Sequence, residues 1–280
     1  MRIVHTDDII KLICEMSIEA NYKLSNDIEK KIKGSEKQEK STRGKEVLSI
    51  LCENLEVASK ELIPICQDTG MVVVFMKIGQ EVSIQGIGLG EAINEGIRQG
   101  YEKGYLRKSI VGDPLIRKNT NDNTPGVIHY DIVEGSKIEI ILSAKGFGSE
   151  NTSRIYMLNP TDGVKEIKRV VLETVKMAGP NPCPPIFVGV GIGGTFEKAA
   201  ILSKKALMRD FDSIQENKEI DILEQEILEE INKLGIGPGG LGGNTTALGV
   251  NIEVYPTHIA GLPVAINICC HANRHIKRIL

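Results

Sequence analysis

Tryptophan is absent and aromatic residues make up only 4% of the 280-residue chain, which removes the usual stacking platforms for single-stranded nucleic acid or sugars. A basic excess is missing as well. Against 37 Asp and Glu stand 34 Lys and Arg, a formal charge of −3, so nothing here holds a polyanion by releasing its counterions. Long apolar runs are also lacking: residues 186–190 and 262–268 fall far short of the roughly 20 residues that span a bilayer. The first ten residues carry Arg2, His5, Asp7 and Asp8 where a secretory signal needs an apolar core. These absences exclude nucleic acid and membranes as main partners and lead us to expect a cytoplasmic protein.

What is present is the composition of a globular enzyme-sized chain, 41% hydrophobic and 25% charged, long enough to bury about 75% of its unfolded surface. Between Thr6 and Leu62 apolar residues recur near the helical period, first Ile9, Ile10, Leu12, Ile13 and Met16, then Val47, Leu48, Leu51 and Leu55, predicting two or three helices. The polar stretch 31–43 reads as a solvated connection between them. Residues 71–76 form a β-branched run suited to a buried strand, 90–105 a helix, and 126–133 and 137–144 two strands joined by the hairpin-like turn Glu134-Gly135-Ser136. Further on, helices are expected over 162–178, 195–208 and 221–234, with strands over 185–191, 250–254 and 263–268. With no repeat and no long linker, the expected fold class is α/β, a mixed sheet with surrounding helices and a helical N-terminal part. The expectation is one domain over 1–280, with 1–62 helical and 63–280 the α/β body.

Cysteine and glycine carry the chemistry. Cys14 and Cys52 sit inside helical stripes and read as small buried hydrophobes. Cys66, Cys183, Cys269 and Cys270 lie instead beside turn residues, in Ile65-Cys66-Gln67-Asp68-Thr69-Gly70, in Asn181-Pro182-Cys183-Pro184-Pro185 and ahead of His271-Ala272-Asn273-Arg274. No pair has the two-to-four-residue spacing of a zinc ribbon. Thiolates separated by long stretches of chain imply a site assembled by the fold, and soft thiolates select zinc, copper(I) or iron-sulfur clusters. Three thiolates on a cubane leave one iron without a protein ligand, able to act as a Lewis acid on substrate oxygen. A fourth ligand, Cys269 or His271, would make an electron carrier instead.

Residues 189–194 match G-x-G-x-x-G after a strand and before a helix, the context of dinucleotide binding. The polar residues 210–219 stand where the next strand is required, however, so we expect no completed βαβ unit. Close strand–helix packing or an anion contact is then favoured over a nicotinamide site. The glycine run 235–243 departs from the P-loop pattern at Gly243 and Asn244. The loop Lys145 to Asn151 could offer amides to a carboxylate. Arg107 and Arg274 could each grip one with two parallel bonds, although on composition alone both read as surface residues.

Taken together, these residues resemble the alpha subunit, or N-terminal domain, of the class I iron-sulfur hydro-lyases, namely class I fumarate hydratase and L-tartrate dehydratase. The resemblance rests on Ile65 to Gly70, on Lys145-Gly146-x-Gly148-Ser149-Glu150-Asn151, on Cys183-Pro184-Pro185, on Ile192-Gly193-Gly194-Thr195, on Gly237-x-x-Gly240-Leu241-Gly242-Gly243 and on the tail from Cys270 to Arg274. It implies a [4Fe-4S] cluster, one iron free of protein ligand, on Cys66, Cys183 and one of the final pair. Cys270 is preferred because it directly precedes x-Ala-x-Arg; Cys269 is the alternative. It also implies that Gln67, Asp68 and Arg107 contact a C4 dicarboxylate substrate, with fumarate or malate expected first and tartrate next. Asp68 would support catalysis, and Gly148 would offer its backbone to a carboxylate. Two positions depart from the family pattern, Phe147 where relatives often have Gly and Asn244 where many have Lys. Finally, the resemblance implies a beta subunit that supplies the general base, without which the chain is inactive, and a homodimer of alpha chains within a heterotetramer.

Overall fold

The computed structural model describes residues 1–280. In chain order the elements are β1 (Arg2–His5), α1 (Thr6–Tyr22), α2 (Asn26–Gln38), α3 (Thr42–Glu61), β2 (Met71–Gly79), β3 (Val82–Gln85), α4 (Leu89–Lys103), β4 (Val127–Val133), β5 (Ile138–Lys145), α5 (Phe147–Glu150), β6 (Arg154–Leu158), α6 (Gly163–Ala178), β7 (Ile186–Gly193), α7 (Phe196–Ala206), α8 (Lys218–Lys233), β8 (Ala247–Tyr255), β9 (Leu262–Cys269) and β10 (His275–Ile279). This is the expected α/β class, with mixed sheets, surrounding helices and a helical beginning. None of the helices is long and apolar enough to cross a membrane.

The chain falls into two compact units, each drawn from separate stretches of sequence. The first comprises Met1–Ser25, Leu55–Phe147 and Arg274–Leu280; the second, Asn26–Asn54 and Gly148–Asn273. In the first unit four strands run in the order β10-β5-β2-β4. β2 pairs antiparallel with β5 and parallel with β4, while β1 and β3 form a small parallel pair. Val72, Val74 and Met76 alternate onto one face of β2 and meet Ile9, Ile13 and Met16 of α1 and Ile93 and Ile97 of α4. Glycine sets the helix spacing there, because a Cβ on Gly96 would lie 2.7 Å from the Ile10 carbonyl oxygen.

The turn at 134–136 does not make a hairpin, because β2 lies between the strands it joins. The end of β2 fills the space: the amides of Gly79, Gln80 and Glu81 donate to the carbonyls of Lys137, Val133 and Gly135. A central strand with apolar side chains on both faces needs two neighbours, and β2 takes both arms of the expected hairpin.

The second unit is a sheet in the order β6-β9-β7-β8 between helical layers. α6 and α8 cover one face through Val170, Val171, Val175, Ile227 and Ile231. α7 covers the other face so closely that a Cβ on Gly189 would lie 2.1 Å from the Ser203 carbonyl oxygen, and one on Gly191 2.1 Å from that of Ala199. The expectation of an uncompleted crossover is corrected: β7 and β8 are parallel neighbours, and α7 and α8 together make the connection. The stretch 31–43 is corrected too. α2 continues to Gln38 because Ile28, Ile32 and Ser35 form a buried stripe, leaving only residues 39–41 as the connection.

Candidate active site

In the first unit Cys66, Gln67 and Asp68 lie on the segment between α3 and β2, which has no regular structure of its own, and Arg107 lies between α4 and β4. Ile65 N–H donates to the Asn21 carbonyl (2.9 Å) and Thr69 Oγ1 to the Arg107 carbonyl (2.8 Å). Tyr101 Oη donates to the Thr69 carbonyl (2.6 Å) and Asn123 Nδ2 to that of Gly70 (3.2 Å). Arg274 Nη1 reaches both Asn21 Oδ1 (3.0 Å) and the Asp68 carbonyl (2.5 Å). Asn21, Tyr101, Asn123 and Arg274 are all buried. Burial pushes the Tyr101 phenol well above its ordinary value, with the Arg274 charge opposing, so it serves as a neutral donor.

This frame aims the Asp68 carboxylate. Its Oδ1 accepts from Gly70 N–H (3.0 Å) and its Oδ2 from Phe147 N–H (2.9 Å). Gly70 has φ +79°, and a Cβ there would lie 2.7 Å from the Ala144 carbonyl carbon, so glycine alone permits this turn. Gly146 is less tightly enclosed: a Cβ would lie 3.1 Å from Asp68 Oδ2 and 3.3 Å from Arg274 Nη2. Cys66 Sγ donates to Gln67 Oε1 (3.3 Å); Cys66 and Asp68 are half-buried, Gln67 and Arg107 exposed. Phe147, where the resemblance leads us to expect Gly in many relatives, uses its backbone in holding Asp68, and its ring is exposed.

The surface reading of Arg274 is corrected, for the residue is 2% exposed. Its carbonyl accepts from Ala144 N–H and Ser143 Oγ (3.1 and 3.0 Å), which fixes it at the start of β10 with its side chain directed inward. Asn21, Tyr101 and Asn123 escaped the sequence reading. For Asn21 and Tyr101 the only signal was a polar group at an apolar-stripe position of α1 and α4, and Asn123, in the loop before β4, gave none.

In the second unit, Cys183 stands in a turn closed by its own N–H to the Pro180 carbonyl (3.0 Å), exposed and at φ +54°. A non-glycine residue in the left-handed region stores strain that the surroundings must hold. They do so through the glycine run: Gly239 N–H donates to the Pro184 carbonyl (2.7 Å), and a Cβ on Gly240 would meet Pro180 at 2.5 Å. The far end of that run is tied by Glu39, whose carboxylate accepts from the amides of Lys40, Ser41, Asn244 and Thr245. Burial alone would raise the Glu39 pKa, but these donors hold it below the usual carboxylate value. Asn244, the second departure from the family pattern, also accepts from Lys40 N–H through Oδ1 (2.8 Å).

His271 Nδ1 lies 3.2 Å from the Cys183 carbonyl oxygen, which brings the Cys183 turn beside the segment that carries Cys270. Cys269 ends β9, paired with Phe187 and 3% exposed; Cys270 lies just past the strand, half-buried. Gly148 is exposed, and a Cβ there would lie 3.7 Å from the Asn181 carbonyl oxygen. No disulfide forms. No three His, Cys, Asp or Glu side chains gather around a point suited to a single metal ion, and a cubane, which takes one thiolate per iron, makes no such demand.

Fold and site define an α/β protein that displays an oriented carboxylate and accessible thiols on braced loops. A model of the fumarate hydratase (fumerase) family matches residues 10–279. The chain is 44% identical over 278 residues, 97% of each chain, to a candidate L(+)-tartrate dehydratase subunit alpha of Methanocaldococcus jannaschii. It is 30% identical over 269 residues to the L(+)-tartrate dehydratase subunit alpha of Escherichia coli K12 and of Shigella boydii, covering 95% of this chain and 88% of each relative. The chain belongs to the fumarate hydratase family of hydro-lyases.

Proposed function

We propose that this chain is the alpha subunit of a [4Fe-4S] hydro-lyase that reversibly adds or removes water on a C4 dicarboxylate and works with a beta subunit. The observation that carries the reading is Asp68. Its carboxylate is aimed by two backbone amides on the loop that also bears Cys66 and Gln67, and that loop is braced by buried side chains rather than left to move. Support for the partner comes from the relatives, which are named as alpha subunits.

Cys66, Cys183 and Cys270 are the proposed cluster ligands. Their chemistry fits, since each lies on a turn or strand end and is at least partly accessible, unlike Cys269, which is buried in the strand. Such a cluster would supply a Lewis acid for a substrate oxygen at its iron without a protein ligand. The chain's own residues do the rest. Gln67 and Arg107 bind and orient the substrate, the Gly148 backbone meets a carboxylate, and Asp68 holds or moves a proton while the beta subunit supplies the general base. No net redox change is involved. Among dicarboxylates we place fumarate and malate first and tartrate next, and the names of the relatives make tartrate an essential arm of any assay.

The test is iron and acid-labile sulfide per chain after anaerobic reconstitution, followed by assay with the beta chain on malate, fumarate and tartrate. About four of each per chain and turnover on one acid are expected. A folded complex with neither iron nor turnover would overturn the reading.

A further inference from the structure

Glu150 ends α5, just after Gly148 and Ser149, and both oxygens of its carboxylate are taken. Oε1 accepts from Lys204 Nζ (2.5 Å) on α7 and Oε2 from Asn267 Nδ2 (3.1 Å) on β9. The backbone of the same turn is closed. The Ser149 carbonyl accepts from Thr152 N–H (3.1 Å) and Thr152 Oγ1 (2.7 Å), and the Glu150 carbonyl from Ser153 N–H (3.1 Å). Ser153 Oγ in turn accepts from Ile268 N–H (3.1 Å), a second tie to β9. Gly148 itself is exposed, so its main chain is fixed by what holds Glu150 and not by packing of its own.

Glycine places both holders. Asn267 pairs in register with Gly189, and residues opposite each other on antiparallel strands project from one face, here the face that α7 covers. Gly189 and Gly191 let α7 lie against that face, which brings Lys204, next to Ser203, within reach of Glu150. The side chains of Lys204 and Glu150 are only 17% and 26% exposed, so this ion pair is mostly out of solvent, unlike the surface pairs that contribute little. Asn267 is buried, its Oδ1 has no hydrogen-bond partner, and the one hydrogen bond of its side chain goes to Glu150. A buried acceptor without a donor costs stability that an aliphatic residue at this strand position would not. The amide is placed for the carboxylate and not for the core.

We propose that Lys204 and Asn267 are positioning residues for substrate binding: by gripping the two oxygens of Glu150 they set the turn 148–150 so that the Gly148 main chain is presented to a carboxylate of the substrate. The inference rests on the hydro-lyase reading and on the Gly148 contact within it. A contact made alike with bound substrate and transition state changes KM and leaves kcat alone, which separates this role from one in the chemistry.

The test is steady-state kinetics of the complex with the beta chain on malate, fumarate and tartrate, with amide exchange at Thr152 and Ser153 and unfolding midpoints alongside. Lys204→Met should raise KM by about ten-fold or more, keep kcat within about three-fold and speed exchange at both amides. Lys204→Arg keeps a cationic donor for Glu150 and should bring KM back to within about three-fold of the unaltered complex. Glu150→Leu removes both ties from a partly exposed turn position and should raise KM at least as much as Lys204→Met, so it decides the matter if Lys204→Met does not fold. An unchanged KM in the folded variant, a loss confined to kcat, or a Lys204→Arg complex as impaired as Lys204→Met would each overturn the proposal and leave the hydro-lyase reading standing. An unaltered complex inactive on all three acids would overturn that reading, and this inference with it.

Discussion

Arg274 Nη1 donates to the main-chain carbonyl of Asp68 from a guanidinium that is 2% exposed. The residue that closes the C-terminal motif thus supports the residue at the centre of the N-terminal one. Burying a guanidinium is costly unless its donors are used, and here Nη1 is used on Asn21 Oδ1 and the Asp68 carbonyl.

Arg274→Met should therefore cost about 2–4 kcal/mol of stability, because it leaves the Asp68 carbonyl and Asn21 Oδ1 without their donor. Urea unfolding measures the cost. Amide exchange at Gly70 and Phe147, which donate to the Asp68 carboxylate, should accelerate more than in the β2 core. An unchanged midpoint and unchanged exchange would deny the bracing role.

Asp68→Asn should keep the fold and the cluster and, in the complex with the beta chain, lower kcat by about 100-fold or more. Iron content and steady-state kinetics together check this. Full turnover would remove Asp68 from the chemistry.

Single Ser replacements of Cys66, Cys183 and Cys270 should abolish cluster retention, whereas Cys14→Ser, Cys52→Ser and Cys269→Ser should retain it. Iron per chain after reconstitution is the readout. Equal iron in all six variants would refute the ligand assignment.

Glu39 predicts a pH dependence. Its folded pKa lies below its unfolded value, because four amides favour the carboxylate despite burial. Its contribution is therefore complete above the unfolded value and is lost as pH falls through the folded one. Glu39→Gln should flatten that acid limb of the stability profile and cost about 2 kcal/mol at pH 7. A parallel profile for the two proteins would contradict the assignment.

Gly189→Ala should destabilise the chain by roughly 1–3 kcal/mol through overpacking against α7, in the absence of any nucleotide. Thermal unfolding checks this. A neutral effect would reopen a ligand role for the G-x-G-x-x-G segment.

Much of this protein was legible along the chain. The strand at β2, the helices α4, α6, α7 and α8, and the loops bearing Cys66, Asp68 and Cys183 all follow from apolar period and turn chemistry, which act within a few residues. Motif order was legible too, because each motif is local. What the tertiary structure decided is everything that depends on a distant partner. The turn at 134–136 looked like a hairpin until β2 took the place between its arms. Arg274 looked like a surface cation, and Asn21, Tyr101 and Asn123 like ordinary helix or loop residues, until folding placed all four beneath one loop. Residues far apart in sequence acquire such roles only when the chain closes on itself, because hydrogen-bond partners and burial are properties of position in space, and local pattern carries no record of them.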